Sequence, residues 1–204
     1  MKGNRGRNAE TQSRREKNEE GLRAFVALEI PEDVVGTLVS SRRELESTLP
    51  KARWVRVENQ HLTLRFLGEV PRDGLETMAE RLAVDLEGVP AVSVSLGGAG
   101  FFPGPSRPRV AWIGGEASGI EAVLEGVDKA TSVLGLEAPG EPWTLHLTQA
   151  RLVKPWRAGA VRAFLDWGQA LRLPQFQARE VVVFTSELRR GGAVYTDFER
   201  IRLV

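Results

Sequence analysis

The tripeptide His-Leu-Thr occurs twice in this chain, at residues 61–63 and 146–148, and the chain has no other histidine. Each copy lies in an apolar run of strand length, and each run follows a predicted strand and a predicted helix. The shared order of strand, helix and histidine strand indicates an internal duplication. We therefore expect two similar halves that each carry one histidine.

The duplicated unit can be followed along the sequence. Its first copy has an apolar strand over residues 24–30, a helix between Pro31 and Pro50, and a histidine strand in the stretch 54–69. Its second copy repeats this order over residues 109–113, 120–134 and 143–153. The other predicted elements are a helix over 71–86, a strand over 92–96, a Gly/Pro-rich loop over 97–108, a helix over 158–171, and a closing hairpin of strands 179–188 and 193–203.

The composition excludes several classes of chemistry. The 204 residues are 42% hydrophobic, which is enough for a buried core, and there is no cysteine. Disulfides, thiolate catalysis and cysteine metal sites are therefore excluded. No apolar run approaches the roughly 20 residues that a membrane helix needs, and the N-terminus lacks the apolar centre of a secretory signal. We expect a soluble, cytoplasmic protein that does not bind a membrane.

The N-terminal segment differs in composition from the rest of the chain. Residues 1–21 contain no aromatic or branched apolar side chain and carry many charges of both signs, so they cannot offset the entropy lost on ordering. We expect residues 1–22 to form a disordered charged tail and residues 23–204 to form a single domain. With 28 basic and 27 acidic residues the chain is nearly neutral, so any RNA must be bound by a local cluster of charges.

Strand alternation sorts the side chains of the two motifs. His61, Thr63 and Arg65 are predicted to share one face of their strand, with Leu62, Leu64 and Phe66 in the core behind them. In the second motif His146 and Thr148 share a face. Gln149 and Arg151 then interrupt the apolar side, which predicts a bulge or an exit from the core just after Thr148.

Two histidines on facing strands suit the hydrolysis of a phosphodiester. An imidazole titrates near pH 6.5, so one ring can accept a proton while the other donates one. A nearby threonine hydroxyl can donate a hydrogen bond to a phosphate oxygen, and an arginine can offset its charge. The predicted site therefore has His61 and His146 as catalytic residues, and Thr63, Thr148, Arg65 and Arg151 as phosphate contacts.

Other chemistries fit the sequence less well. A metal site would need two more ligands, and neither motif has a second histidine or an acid at the short spacing of metal-binding helices. The Gly-x-Ser-x-Gly elbow of serine hydrolases is absent, and the Gly97-Gly-Ala-Gly100 run lacks the Gly-Lys-Ser/Thr ending of a phosphate loop. No metal and no cofactor is expected.

The chain resembles the two-histidine phosphoesterases, and within them the RNA 2',3'-cyclic phosphodiesterases, which are also called 2'-5' RNA ligases of the LigT type. The resemblance spans about Arg23 to Val204. It is carried by RAFVALEIP at 23–31, RWVRVENQHLTLRFLGEV at 53–70, FFPGPSRPRVAWIG at 101–114, HLTQAR at 146–151 and FTSELRRGGAVY at 184–195.

The resemblance implies a bilobal α+β fold. Two pseudo-symmetric lobes would each have an antiparallel sheet with outer helices, and the His-x-Thr strands would face a central cleft. It also implies metal-independent opening of RNA 2',3'-cyclic phosphate ends to 2'-phosphomonoesters, with 2'-5' ligation as the reverse reaction in some members. His61 would then be the proton donor and His146 the proton acceptor, with Thr63 and Thr148 on the phosphate.

The resemblance has one visible departure and leaves one alternative. Members of the family commonly have proline directly before the second histidine, where this chain has Leu145. The alternative function is non-catalytic binding of RNA ends or nucleotides in the same cleft. The expected partners are RNA with cyclic phosphate ends, including tRNA fragments, or small cyclic nucleotides, and we expect a monomer.

Overall fold

Four helices and nine strands form from residues 21–190 and 192–204, the part of the chain that the computed structural model describes. The predicted tail lies outside this part except for its last two residues, and β1 already begins at Leu22. The helices are α1 Glu32–Thr48, α2 Arg72–Asp85, α3 Ile120–Thr131 and α4 Ala158–Ala170. The strands are β1 Leu22–Leu28, β2 Ala52–Trp54, β3 Leu62–Val70, β4 Val92–Phe102, β5 Val110–Ser118, β6 Leu147–Leu152, β7 Phe176–Ala178, β8 Glu180–Arg189 and β9 Gly192–Arg202, and short 3-10 helices lie at Val57–Asn59 and Ser132–Leu134.

The strands form two antiparallel sheets with one histidine motif in each. The first sheet has the order β3-β1-β8-β9, and the second has the order β2-β6-β5-β4-β7. Strand β3 pairs with β1, and β6 pairs with β5. In both cases a helix, α1 or α3, follows the first strand of the pair. The duplicated unit is therefore present, and the predicted α+β class is confirmed.

Two of the helices, α1 and α2, begin directly after a proline. Pro31 and Pro71 directly precede α1 and α2, with φ near −56°, and their carbonyl groups accept the first helical hydrogen bonds, from Val35 and Leu75. Proline suits this position because the first helical amides have no partner within the helix. Gly135 ends the 3-10 extension of α3 with φ +72°, a conformation that glycine adopts without a steric cost.

One contiguous core joins the two sheets and their helices. Helix α1 packs beside α4, and α2 packs beside α3. Leu62 of the first motif and Leu147 of the second are almost completely buried in this core. Truncating such a leucine to alanine costs roughly 2–5 kcal/mol. The inner faces of both histidine strands are therefore held firmly by packing.

The strands differ from the sequence prediction in two ways. Both histidine strands are shorter than predicted, because residues 55–61 and 143–146 lie outside the sheets, and each histidine directly precedes its strand. Strand β4 is longer than predicted and runs through the Gly/Pro-rich stretch to Phe102. A register shift between Leu96 and Ala99, with Gly98 at φ +70°, accommodates the glycines as a bulge inside the strand.

Candidate active site

The two histidines are held in the same way by the backbone. Nδ1 of His61 lies 2.9 Å from the carbonyl oxygen of Asn59, and Nδ1 of His146 lies 2.9 Å from that of Thr144. A carbonyl oxygen can only accept a hydrogen bond, so Nδ1 carries the proton in each ring. Nε2 of each neutral ring is then left to accept a proton. The repeat therefore extends from the sequence to the hydrogen bonds of the two imidazoles.

Hydrogen bonds connect the two motifs directly. The indole N–H of Trp143, three residues before His146, donates to the carbonyl oxygen of Thr63 at 2.9 Å. The side-chain amide of Gln149 donates to Oε1 of Gln60 at 3.1 Å. Residues on both sides of the second histidine thus contact residues on both sides of the first. The structure brings the two His-x-Thr motifs together, as a shared site requires.

A buried arginine completes the connection between the motifs. Nη1 of Arg42, on α1, donates to Oε1 of Gln149 at 2.8 Å, and its Nη2 donates to the carbonyl oxygen of Val55 at 2.6 Å. Glu46 supplies the counter-charge at 2.5 Å. Arg42 is 3% exposed and Gln149 is fully buried, so each polar group depends on these partners. We call Arg42, Gln149 and Gln60 the buried polar network.

Aromatic rings surround both imidazoles. The ring of Phe25 lies 4.7 Å from that of His61, and the ring of Tyr195 meets His61 edge-on at 5.3 Å. On the other side of the site, Phe102 meets His146 edge-on at 5.1 Å and contacts Trp112. These rings restrict the orientation of each imidazole and keep His61 largely out of water.

The surroundings of His61 favour its neutral form. Burial lowers the pKa of His61 to about 4, the hydrogen bond to Asn59 opposes this change in part, and the positive charges of His146 and Arg151 lower the pKa further. His61 is therefore neutral at pH 7 in the protein without substrate.

The two threonines lie beside the histidines with free hydroxyl groups. Thr63 pairs across the sheet with Ala27, and Thr148 pairs with Trp112. Both side chains are half-buried. Neither hydroxyl has a hydrogen-bond partner within residues 21–190 and 192–204. Each remains available to donate a hydrogen bond to a bound anion.

Arg65 does not share a face with His61 and Thr63, so that prediction is wrong. Val26 lies opposite Arg65 and Ala27 lies opposite Thr63, which makes Leu64 the extra residue of a bulge. Arg65 is thereby placed on the face of Val26, toward α3, where its guanidinium pairs with Asp128 at 3.7 Å and donates to the carbonyl oxygen of Glu137. Its charge is already partly offset there.

Phe66 is also misplaced by simple alternation. The sequence predicts a core residue, but Phe66 is 66% exposed and lies opposite Phe25 on the face that carries the aromatic rings. The bulge at Leu64 is the reason, because it moves Phe66 onto the face of Thr63 and Phe25, and a second bulge at Leu67 follows, with Leu67 buried.

The predicted bulge after Thr148 is confirmed. Trp112 pairs with Thr148 and Ala111 pairs with Ala150, so Gln149 is the extra residue in β6. This bulge is what directs the Gln149 side chain into the buried polar network. Arg151 follows on the exposed part of β6, and its charge acts on His61.

Several residues of the site carried no signal in the sequence. Tyr195 comes from β9, more than a hundred residues after His61. Arg42 occupies a helix position that the sequence pattern predicts to be exposed to solvent. Only the pairing of distant strands brings these residues to the motifs. Trp143 lies at the start of the predicted second histidine strand, and Gln149 lies in the HLTQAR block, where a polar residue within an apolar strand was the available signal.

No metal centre or membrane-crossing helix is found in the described ranges. Within residues 21–190 and 192–204, no three His, Cys, Asp or Glu side chains come together in a way that could hold a metal ion. None of the helices formed by these residues is both long enough and apolar enough to cross a bilayer.

Comparison with known proteins places the chain in a family. The LigT-like phosphoesterase family model matches residues 28–112. An RNA 2',3'-cyclic phosphodiesterase of Thermus thermophilus is 33% identical over 194 residues, which cover 89% of this chain and 90% of the relative. The chain belongs to the LigT-like phosphoesterase family.

Further relatives of this LigT-like phosphoesterase agree with the assignment. An RNA 2',3'-cyclic phosphodiesterase of Archaeoglobus fulgidus is 30% identical, with 86% of this chain and 97% of the relative covered. A crystal structure of a Thermus thermophilus protein superposes with a TM-score of 0.71 at 26% identity and covers 89% of this chain and 98% of its own. The two-sheet fold of this chain is thus the fold of the family.

Proposed function

We propose that this phosphoesterase opens the 2',3'-cyclic phosphate at the end of an RNA chain to a 2'-phosphomonoester. The observation that supports this most strongly is the pair of histidine motifs, which are hydrogen-bonded to each other and in which each imidazole is bonded to the backbone through Nδ1, so that Nε2 of each ring remains for proton transfer. Relatives that share both the family and nearly the full length are named RNA 2',3'-cyclic phosphodiesterases.

The proposed reaction is an in-line displacement at phosphorus. Nε2 of His146 takes a proton from water, and the water oxygen forms the new bond to phosphorus. The bond from phosphorus to the 3'-oxygen breaks, and His61 gives its Nε2 proton to that oxygen. The products are a 2'-phosphomonoester and a 3'-hydroxyl. The direction of proton transfer follows the family resemblance.

His61 must be protonated before it can act as the donor. Its pKa of about 4 applies to the empty site, where burial and the electrostatic effects of His146 and Arg151 oppose a positive charge on the ring. A bound phosphodiester brings one negative charge close to Nε2 and favours the imidazolium form. Substrate binding therefore prepares the acid. Thr63, Thr148 and Arg151 are proposed to bind the non-bridging phosphate oxygens.

The test is an assay with a nucleoside 2',3'-cyclic phosphate in the presence of a chelator. The wild-type protein should form the 2'-monophosphate, with a bell-shaped pH dependence of kcat. His61→Ala and His146→Ala should each lower kcat by roughly 10²- to 10⁴-fold, the usual contribution of one acid or base group. Arg162→Ala, on the exposed side of α4, is the matched control and should keep full activity. Full activity in either histidine variant would contradict the mechanism.

A narrower class of natural substrates can be proposed for the same site. We propose RNA fragments, including tRNA halves, as the natural substrates, and a monomer as the active form. Ligation through a 2'-5' linkage would be the same displacement with the 5'-hydroxyl of a second RNA fragment in place of water as the attacking group, and the 3'-oxygen would again leave from phosphorus. Binding of a 2'-phosphate end without turnover in the assay above would instead favour the non-catalytic alternative.

A further inference from the structure

A cavity of about 630 Å³ opens beside His61, and we call it the arginine cavity. It is lined by Asn59, whose carbonyl group holds His61, and by Tyr195, whose ring contacts that imidazole. It contains no aspartate or glutamate among the described lining residues. Its arginines are Arg53, Arg56, Arg151, Arg189 and Arg190.

Part of the positive charge in this cavity is uncompensated. Arg189 pairs with Glu187 at 2.8 Å, and Arg56 lies 3.6 Å from Glu58. Within the described part of the chain, Arg53, Arg151 and Arg190 have no carboxylate partner. Three guanidinium groups that face one concave space repel each other, and a bound anion relieves this repulsion.

The register of the second sheet adds to the repulsion. Arg53 on β2 lies directly opposite Arg151 on β6. Like charges at directly opposed positions destabilise an antiparallel pair. This arrangement therefore has an energetic cost in the free protein, and binding of phosphate groups between the two side chains would offset it.

The arginine cavity carries more positive charge than the proposed reaction needs. A 2',3'-cyclic phosphate carries one negative charge, whereas the arginine cavity holds five cations. The cavity also spans both sheets, since Arg53 and Arg151 come from β2 and β6, while Arg189 and Arg190 come from the β8–β9 hairpin. A ligand that fits it carries further phosphates at a short distance from the reacting one.

We propose that the arginine cavity binds the phosphates of the RNA chain next to the terminal nucleotide, so that the enzyme selects oligonucleotides over mononucleoside cyclic phosphates. This inference rests on the proposed function and names the substrate class of the same site. The 5'-phosphate of a single nucleotide has the same chemistry as a phosphate of the RNA chain. The experiment below distinguishes these two ligands.

The experiment compares kcat/KM for three substrates: a mononucleoside 2',3'-cyclic phosphate, the same nucleotide with an added 5'-phosphate, and an oligonucleotide that ends in a cyclic phosphate. The oligonucleotide should be preferred over both small substrates. Arg53→Ala and Arg190→Ala should each lower the ratio of oligonucleotide to mononucleoside kcat/KM by about tenfold, because each removes one charge-assisted contact. Arg162→Ala should not change that ratio.

A salt series tests the same contacts without catalysis. The affinity for an oligonucleotide with a 2'-phosphate end, measured by fluorescence anisotropy, should fall with salt. The slope of log affinity against log salt should decrease by about 0.7 in each variant, the value for one phosphate contact on a single strand. The melting temperature of Arg53→Ala should stay at or above that of the wild type, because the substitution removes the opposed charge.

The outcomes separate this inference from the function on which it rests. Equal kcat/KM for the mononucleoside and the oligonucleotide, or an unchanged ratio in both arginine variants, would overturn the arginine cavity as an RNA subsite while the phosphodiesterase stands. If the nucleotide with an added 5'-phosphate has the same kcat/KM as the oligonucleotide, the proposed selection of RNA chains would be overturned. If no substrate is opened, the proposed function fails, and the salt series still decides whether the cavity binds phosphates.

Discussion

At the scale of single residues, the site depends on how His61 is surrounded. The ring is packed against Phe25 and Tyr195, its Nδ1 is hydrogen-bonded to the backbone, and the electrostatic effects of His146 and Arg151 act on it. Each factor acts on the proton at Nε2. The sequence predicts that His61 and His146 act together, because the motif is repeated, but it cannot predict this environment, because Tyr195 and Phe25 come from other strands.

The first prediction at this scale concerns the protonation of His61. An NMR titration of the imidazole should give a pKa of about 4 in the free protein, and addition of a nucleoside 2'-monophosphate should raise this pKa, because the phosphate brings negative charge to Nε2. His146→Gln should raise the pKa of His61 in the free protein, since the electrostatic effect of His146 is removed. A pKa that is unchanged by the nucleotide would contradict His61 as the proton donor.

The second prediction concerns stability against pH. In the unfolded chain His61 titrates near pH 6.5, but in the folded protein it stays neutral down to about pH 4. The unfolded state therefore binds more protons between these values, and the free energy of unfolding falls as pH is lowered through this window. The loss through His61 should total about 3 kcal/mol. Urea titrations should show a shallower dependence for His61→Gln; an equal slope would contradict the assignment.

At the scale of helices and strands, the sequence predicted the helix bounds well and the histidine strands less well. Proline and glycine signals mark the ends of α1 and α2 because they act locally. The bulges of β3 depend on its pairing with β1, which no local pattern records, and they moved Arg65 and Phe66 to unpredicted faces. The bulge at Gln149 was predictable because a polar residue breaks the apolar side of its own strand.

The prediction at this scale concerns the buried polar network, which joins α1 to both motifs. Arg42→Ala should lower the free energy of unfolding by about 1–3 kcal/mol, because Oε1 of the buried Gln149 loses its hydrogen-bond donor. Arg162→Ala is the matched control, since Arg162 forms an exposed helical pair with Asp166, and it should cost less than about 1 kcal/mol. Urea denaturation of both variants gives the comparison, and similar losses would contradict the role of the network.

At the scale of the whole molecule, the two halves exchange strands. The short strand β2 leaves the first unit to join the second sheet, and the C-terminal strands β8 and β9 return to complete the first sheet. The repeat in the sequence predicts two lobes, but this exchange depends on contacts between residues far apart in the chain. One core runs through both sheets as a result.

The corresponding prediction is a single cooperative unfolding transition. All five tryptophans lie in the second sheet, in its α4 helix or in the segments next to them, so their fluorescence reports mainly on one half. Far-UV circular dichroism reports on both halves. The two signals should change at the same urea concentration. A fluorescence transition that precedes the dichroism transition would show that the lobes unfold separately.

The carbonyl groups that orient the two imidazoles also bear on how such an enzyme can diverge. Many catalytic histidines are oriented by a carboxylate, and their neighbours cannot then be exchanged freely. Here Asn59 and Thr144 orient the rings through main-chain atoms that every amino acid possesses. Mutation can replace these side chains without erasing the tautomer, and acidification cannot neutralise an orienting group that does not ionise. The geometry of proton transfer is thus set by the backbone conformation. The surrounding side chains can therefore change without loss of this geometry.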